Sequence, residues 1–169
     1  MSLDRAWKVS PHFTIGELVP ADCESVPQEI LEELQELCQT LLEPVRLRLS
    51  LPVAIHDAWR PAPHNAVVGG VKTSDHLTGH ACDFHVLQGN GKTWVNNTLE
   101  AFDYIRKDLE GTFGQVILED HRRITGLEGK LWVHVSTPTS KHPGTSGDVS
   151  AVLFSSRPGR YTRYSGNQT

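Results

Sequence analysis

Two side chains with metal-binding chemistry lie seven residues apart in the middle of the chain. His76 lies in a polar turn that contains Gly79, and Asp83 follows within an apolar segment that is typical of a strand. An isolated carboxylate is costly to bury as an ion unless a cation or hydrogen-bond donors compensate its charge. A divalent metal ion bound by His76 and Asp83 would supply that compensation.

A third ligand is available much later in the chain. His134 lies between Trp132 and Val135 in an apolar segment over residues 131–136. Catalytic zinc sites commonly use three histidine or carboxylate ligands and leave the fourth position to water. A single buried histidine can also be a hydrogen-bonded core residue. Its combination with His76 and Asp83 favours the metal site.

Two neighbouring histidines offer competing interpretations. His76 and His80 have the spacing of the H-E-x-x-H zinc proteases, but Leu77 replaces the glutamate and Gly79 interrupts the helix that this motif requires. His85 follows Asp83 by two residues and shares its face of the strand. We expect His85 either to orient a metal ligand without touching the ion or to be an ordinary strand histidine.

The surrounding sequence predicts the elements that position these residues. Apolar residues recur at helical spacing over residues 25–48, with Ser25 and Gln28 as a capping box and Pro44 as a bend. A second amphipathic helix is predicted over residues 94–109. Strands are predicted over residues 51–57, 81–87, 113–119, 131–136 and 149–154.

Helices in the first part of the chain and short strands later favour an α+β fold. We expect a single domain over residues 1–154, with helices packed on a small antiparallel sheet. The segment 155–169 is rich in Arg, Gly, Ser and Tyr, and we expect a flexible tail there.

Composition excludes several classes of function. The 169 residues carry a formal net charge of −4 and no basic stripe, which argues against a nucleic-acid partner. No apolar run reaches the roughly 20 residues of a membrane-spanning helix, and the start lacks the apolar core of a secretory signal. The three cysteines form no C-x-x-C pair, which indicates reduced thiols; Cys38 and Cys82 lie in apolar patterns that predict packing.

An ordered set of motifs resembles one known family. The segment S-x-H-x-x-G-x-A-x-D over residues 74–83, followed by W-x-H-x-S over residues 132–136, resembles the zinc D-alanyl-D-alanine carboxypeptidase and murein endopeptidase family. The similarity is closest to the compact phage and prophage members, whose catalytic fold is shared with the hedgehog signalling domain. Further matches cover residues 13–18, 42–46, 59–65, 68–70 and 113–119.

The resemblance implies roles for individual residues. His76, Asp83 and His134 would bind one Zn²⁺ ion. Arg60 would lie beside the metal and hold a substrate carboxylate or the polarised carbonyl oxygen, for which its planar fork is suited. Ser74 would brace the turn that carries His76 and take part in substrate binding.

The general base is the point where this chain departs from many relatives. They carry an acid three residues before the last zinc histidine, and that position is Leu131 here. By resemblance to the phage-like members, Glu119 would accept the proton from the attacking water. Asp120 and Glu128 are weaker candidates.

The resulting hypothesis is a zinc-dependent hydrolase that cleaves amide bonds in peptidoglycan stem peptides, as a D,D-carboxypeptidase or an endopeptidase. The alternative is a zinc-binding wall-recognition or phage structural module with little or no turnover, as the hedgehog domain illustrates. We expect a monomer that does not insert into a membrane. Without a signal peptide, it would be made in the cytoplasm and reach the cell wall after release or as a phage component.

Overall fold

The chain folds into a six-stranded sheet with helices packed on one face. A computed structural model describes residues 3–88, 94–123, 130–144, 152–157 and 160–164. The helices are α1 Ile15–Leu18, α2 Gln28–Leu37, α3 Glu43–Leu49, α4 Ala62–Val67 and α5 Trp94–Asp108. The strands are β1 Val53–Asp57, β2 Ala81–Val86, β3 Gln115–Asp120, β4 Leu131–Ser136, β5 Val152–Arg157 and β6 Arg160–Arg163. The predicted α+β class is confirmed.

The first long helical segment runs through α2 and α3 with one wide turn between them. That turn, Cys38–Leu42, has π-helical hydrogen bonding and ends just before Pro44. Proline has no amide hydrogen to donate, so the regular hydrogen-bonding pattern cannot continue through this position. The irregularity predicted from Pro44 therefore takes the form of a π turn.

The predicted capping box at the start of this segment is wrong. Helix α2 begins at Gln28 with Pro27 as its N-cap, and the Gln28 side chain donates to Glu32 instead of bonding back to Ser25. Proline at this position already fixes the backbone angle for the helix entry. Ser25 is therefore not needed as the cap.

The strands lie in the order β1-β2-β4-β3-β5-β6. All neighbours are antiparallel except β3 and β5, which run parallel. The prediction of an antiparallel sheet is therefore corrected at this one pair.

The expectation of a loose tail from residue 155 also needs correction, because β5 continues to Arg157 and β6 pairs with it. Backbone hydrogen bonds hold the polar residues of β5 and β6 in the sheet, although their sequence does not show the apolar–polar alternation of a strand.

Strand alternation separates the sheet into a core face and a site face. Buried apolar side chains cover the core face, against which α5 packs through Phe102 and Ile105. Cys82 lies on this face and Cys38 in the adjoining core, both as free, buried thiols, as the sequence predicts. The opposite surface of the sheet, called here the site face, carries Asp83 on β2 and the residues of the other strands whose side chains point in the same direction. Among the described residues, no helix is long and apolar enough to cross a membrane.

The core face gives a direct test of the fold. Phe84 is fully buried at the centre of β2. Replacing it with alanine leaves a cavity and should lower the free energy of unfolding by about 3–5 kcal/mol, measured by urea denaturation. Leu47→Ala is the control, because Leu47 is 66% exposed and its loss should change stability by less than about 0.5 kcal/mol. Equal effects of the two substitutions would contradict this packing.

Candidate metal centre

Three side chains that are far apart in the sequence meet on the site face. His76, Asp83 and His134, called here the ligand triad, offer one ligand atom each, and these atoms lie within 4.8 Å of one another. His76 Nε2 lies 3.3 Å from His134 Nδ1 and 3.4 Å from Asp83 Oδ2. His134 Nδ1 lies 2.8 Å from Asp83 Oδ1. The structure therefore brings together the three residues that the sequence analysis selected.

Strand register sets the position of two members of the triad. Asp83 on β2 and His134 on β4 are direct cross-strand partners in the antiparallel pair. Directly opposed residues on one face have their Cβ atoms about 5 Å apart. The pairing therefore delivers a carboxylate and an imidazole to one point.

His76 comes from a single 3₁₀ turn, Asp75–Thr78, that precedes β2. Gly79 ends this turn with a φ of +80°, a conformation that favours glycine. A Cβ atom at this position would also lie only 3.2 Å from the carbonyl oxygen of Ile30 on α2. Gly79 therefore allows the turn to pack closely on α2 and then enter the strand.

The segment after β1 holds the His76 ring in place. His76 is 2% exposed, and its Nδ1 donates to the carbonyl oxygen of Ala58 at 2.7 Å. Trp59 Nε1 donates to the carbonyl oxygen of Leu77, and the Arg60 amide donates to that of His76. Because Nδ1 forms this hydrogen bond, Nε2 is the nitrogen that faces Asp83 and His134. This arrangement is usual for metal-binding histidines.

Asp83 is held in its ionised form. Burial alone would raise the pKa of its carboxyl, but His76 and His134 outweigh that effect and keep the pKa well below the usual range of an aspartate. The carboxylate is therefore ready to bind a cation throughout the neutral pH range.

The ligand types of the triad and two of its separations fit a tetrahedral zinc ion. Zinc bonds to histidine and carboxylate are about 2.0–2.2 Å long, which places tetrahedral ligand atoms about 3.3–3.5 Å apart. Both separations from His76 Nε2, 3.3 Å to His134 and 3.4 Å to Asp83, match this value, whereas His134 Nδ1 and Asp83 Oδ1 are closer, at 2.8 Å. A site with three protein ligands of this type leaves one position for water or substrate.

Arg60 lies against the triad and is held by two carboxylates. Its Nη2 donates to Asp83 Oδ2 at 3.2 Å, and its Nε lies 3.1 Å from Asp57 Oδ2.

One extra residue in β1 between Ile55 and Asp57 forms a bulge that makes Asp57, rather than His56, the partner of Asp83. Burial raises the pKa of Asp57. The sequence analysis missed Asp57, although a carboxylate at the end of an apolar strand is the same signal that identified Asp83.

Glu119 lies on the same face, diagonal to His134. Ile117 is the direct partner of His134, and Glu119 lies two residues further along β3. Diagonal neighbours of this kind are about 7–8 Å apart at their Cα atoms, within reach through a water molecule. Glu119 is 6% exposed, and burial raises the pKa of its carboxyl, although the nearby hydroxyls of Ser155 and Tyr161 act to lower it.

Leu131 and Asp120 do not reach the triad. Leu131 lies on the core face and is 2% exposed, so this position points away from the metal site. Asp120 follows Glu119 on the opposite face and forms a bidentate pair with Arg122. Glu128 lies outside the described residues.

His85 is not a neighbour of the triad, which corrects one interpretation of this residue. Its Nδ1 lies 2.6 Å from His56 Nε2, and its ring contacts Trp94. Within the described part of the chain, its side chain contacts His56 and Trp94 and not a triad residue. Residues two apart on a strand are separated by about 6.5–7 Å, which is enough to place His85 beside a second, smaller cavity.

The triad opens into a cleft of about 890 Å³. Ser74, which precedes the 3₁₀ turn, lines it together with Arg60 and Glu119. Further lining residues missed by the sequence analysis are Tyr161, His121 and the pair of Asp75 with His142, whose side chains are 2.9 Å apart. Their polar, irregular segments carry no periodic pattern that could have indicated their position.

Comparison with known proteins agrees with this geometry. The model of a family described as Peptidase M15 matches residues 11–113. The matched region includes His76, Asp83 and Arg60, whereas His134 and Glu119 lie beyond its end. No curated protein matches the chain significantly.

The ligand assignment can be tested by metal content. His76→Ala should reduce bound zinc from about one ion per chain to near zero, measured by elemental analysis of purified protein. It should also remove the rise in thermal midpoint that added zinc gives the unaltered protein. The control is His80→Ala, because His80 pairs with Glu33 instead of the triad and should leave zinc content unchanged. Full zinc retention by His76→Ala would exclude the proposed ligand set.

Proposed function

Because this chain belongs to the peptidase M15 family, we propose that it is a zinc-dependent hydrolase that cleaves amide bonds in peptidoglycan stem peptides. The observation that carries this proposal is the convergence of His76, Asp83 and His134 within 4.8 Å at the base of an open cleft. Peptidases of this family depend on zinc, and the donor set fits that ion. The family match covers more than half of the chain.

The chemistry divides between the ion and the protein. When bound, zinc supplies a Lewis acid that polarises the scissile carbonyl and makes water a nucleophile near neutral pH. Asp83 and the two histidines would hold the ion, and the bond between His76 and Ala58 fixes the ring of one of these ligands. Arg60 neutralises part of the negative charge of Asp57 and Asp83.

Glu119 is the proposed general base. It accepts a proton from the attacking water and then transfers it to the leaving amine. Burial raises the pKa of Glu119, which brings it closer to the working pH and favours both transfers. Since the base must be ionised to act, activity should fall as the pH drops through this raised pKa.

Arg60, Lys130 and Lys141 line the cleft together with acidic residues that include Asp57 and Asp75. Peptidoglycan stems carry carboxylates on their acidic residues and at their D-alanine end, which the cations would attract. We assign Arg60 to substrate binding on this basis, and Ser74 because it lines the same cleft and matches the family motif. The bond cleaved is either between two D-alanines or between L-alanine and the D-amino acid nearer the sugar.

The substrate can be tested directly by digestion of purified sacculi. We expect mass spectrometry to show new muropeptides cut at one amide bond of the stem. The same digestion with a chelator should give none of them, and added zinc should restore them. Unchanged muropeptides in all conditions would contradict the peptidoglycan substrate.

A second candidate function is a zinc-binding wall-recognition or phage structural module without turnover. Leu131 favours it, because many relatives carry an acid at that position. We propose in either case a monomer that encounters the wall after cell lysis or as part of a phage particle.

Glu119→Gln separates the two functions. The hydrolase should lose about 10²–10⁴-fold in kcat while zinc content stays unchanged, because the amide cannot accept the proton. Asp120→Asn is the matched control, since Asp120 faces away from the cleft and pairs with Arg122. The module would be supported if Glu119→Gln and Asp120→Asn bind the cell wall equally well and neither they nor the unaltered protein show measurable turnover.

A further inference from the structure

The hairpin of β5 and β6 adds a tyrosine to the site face. Leu153 pairs with Arg163 and Phe154 with Thr162, but Arg157 pairs with Arg160. One extra residue of β5 is therefore accommodated opposite Tyr161, which is a β-bulge. Bulges are frequent next to active sites, where they redirect side chains.

Tyr161 reaches the catalytic cleft from this edge of the sheet. It lines the cleft together with the triad and Glu119, and it is 50% exposed. Ser155 lies opposite Glu119 in the parallel pair of β3 and β5. Two hydroxyls of the hairpin, those of Ser155 and Tyr161, thus lie on the side of Glu119 that faces away from β4.

Tyr161 lies opposite Ser155 and Ser156 in the bulge, and Ser155 is the direct partner of Glu119, so the phenol and the carboxyl line the same side of the cleft. Burial raises the pKa of Glu119, and the nearby hydroxyls of Ser155 and Tyr161 act against that rise. In return, burial and the negative charge of Glu119 raise the pKa of Tyr161 to about 12. The phenol is therefore protonated at every pH at which the enzyme would work, and it can only donate to the ionised carboxylate.

The charged neighbours of Glu119 act in opposite directions, because the charge of His134 lowers its pKa and the charge of Asp83 raises it. The ion pair recorded for Glu119 among the described residues is with His121, whose Nε2 lies 3.0 Å from Glu119 Oε2. That nitrogen also lies 3.2 Å from Ser155 Oγ, and burial lowers the pKa of His121. His121 is therefore mainly neutral at neutral pH, and hydroxyl groups supply much of the stabilisation of the buried carboxylate.

We propose that Tyr161 is a positioning residue for the reaction, and that its hydroxyl holds the Glu119 carboxylate in the orientation that faces the ligand triad. This inference rests on the proposed function, in which Glu119 is the base. Tyr161 acts through Glu119 and not through the metal ligands. Removal of its hydroxyl should therefore affect proton transfer while leaving zinc binding intact.

Tyr161→Phe removes only the hydroxyl, and Tyr164→Phe is the matched control. Tyr164 lies one residue beyond the same hairpin, but its ring packs on Phe102 at 4.9 Å and on Arg106 instead of entering the cleft. Tyr161→Phe should lower kcat by about 10–100-fold, with KM and zinc content within twofold of the unaltered protein. The acid limb of its pH–rate profile should move to higher pH, because the hydroxyl that lowers the Glu119 pKa is lost. Tyr164→Phe should change none of these quantities.

A second measurement is independent of turnover. The pKa of Glu119 can be measured by carbon-13 NMR of protein that is labelled in its glutamate carboxyls. The signal of Glu119 is identified as the one that is missing from the spectrum of Glu119→Gln. The pKa should be higher in Tyr161→Phe than in the unaltered protein and in Tyr164→Phe. If the unaltered protein cleaves no peptidoglycan, the proposed function fails, yet this comparison still decides whether Tyr161 contacts Glu119.

Three results would overturn the proposal. The first is a Glu119 pKa that is the same in all three proteins. The second is a kcat of Tyr161→Phe within twofold of that of Tyr164→Phe. The third is a loss of activity that appears in KM or in zinc content, because Tyr161 would then act on the substrate or on the fold.

Discussion

The site depends on one buried carboxylate held between two imidazoles. Asp83 is placed directly opposite His134 by the pairing of β2 and β4, and His76 approaches both from the turn before β2. A charge in this position is unfavourable without a cation or several donors nearby. The close approach of the two rings and of Arg60 meets this requirement, and it also brings one ligand atom of each triad residue to within 4.8 Å of the others. Stability of the ionised aspartate and affinity for metal therefore arise from one arrangement.

The sheet separates structural from chemical roles by alternation. Phe84 and Val133 point to the helices and are fully buried, while Asp83 and His134, their neighbours in sequence, point to the cleft. A shift of the register by one residue would place the ligands in the core. Among the described strands, the register of the β2–β4 pair is regular, and the bulges lie in β1 and β5. A bulge in β1 selects Asp57, and a bulge in β5 lies opposite Tyr161.

The sequence predicted the parts of the site that contrast with their surroundings. Asp83 and His134 were recognisable because each is a polar residue in an apolar strand, and the α+β class followed from the order of helices and strands. Tyr161 lies in a polar segment without alternation, where backbone pairing with β5 decides the structure. The parallel pairing of β3 with β5 is a long-range contact that leaves no local signal. Ser25 resembled a helix cap, but Pro27 had already determined the entry of the chain into α2.

The parallel pairing of β3 and β5 has a consequence for how the protein acquires its activity. The β3–β4 hairpin forms by local contacts, whereas β5 must return from a distant part of the chain to lie beside β3. Loop closure of this kind is slow because its entropic cost precedes the gain from contacts. The proposed zinc ligands all lie on segments that precede β5. Under the proposed function, a folding chain can therefore bind its ion first and complete the cleft only when the last hairpin docks, so metal binding and hydrolysis should appear at different times.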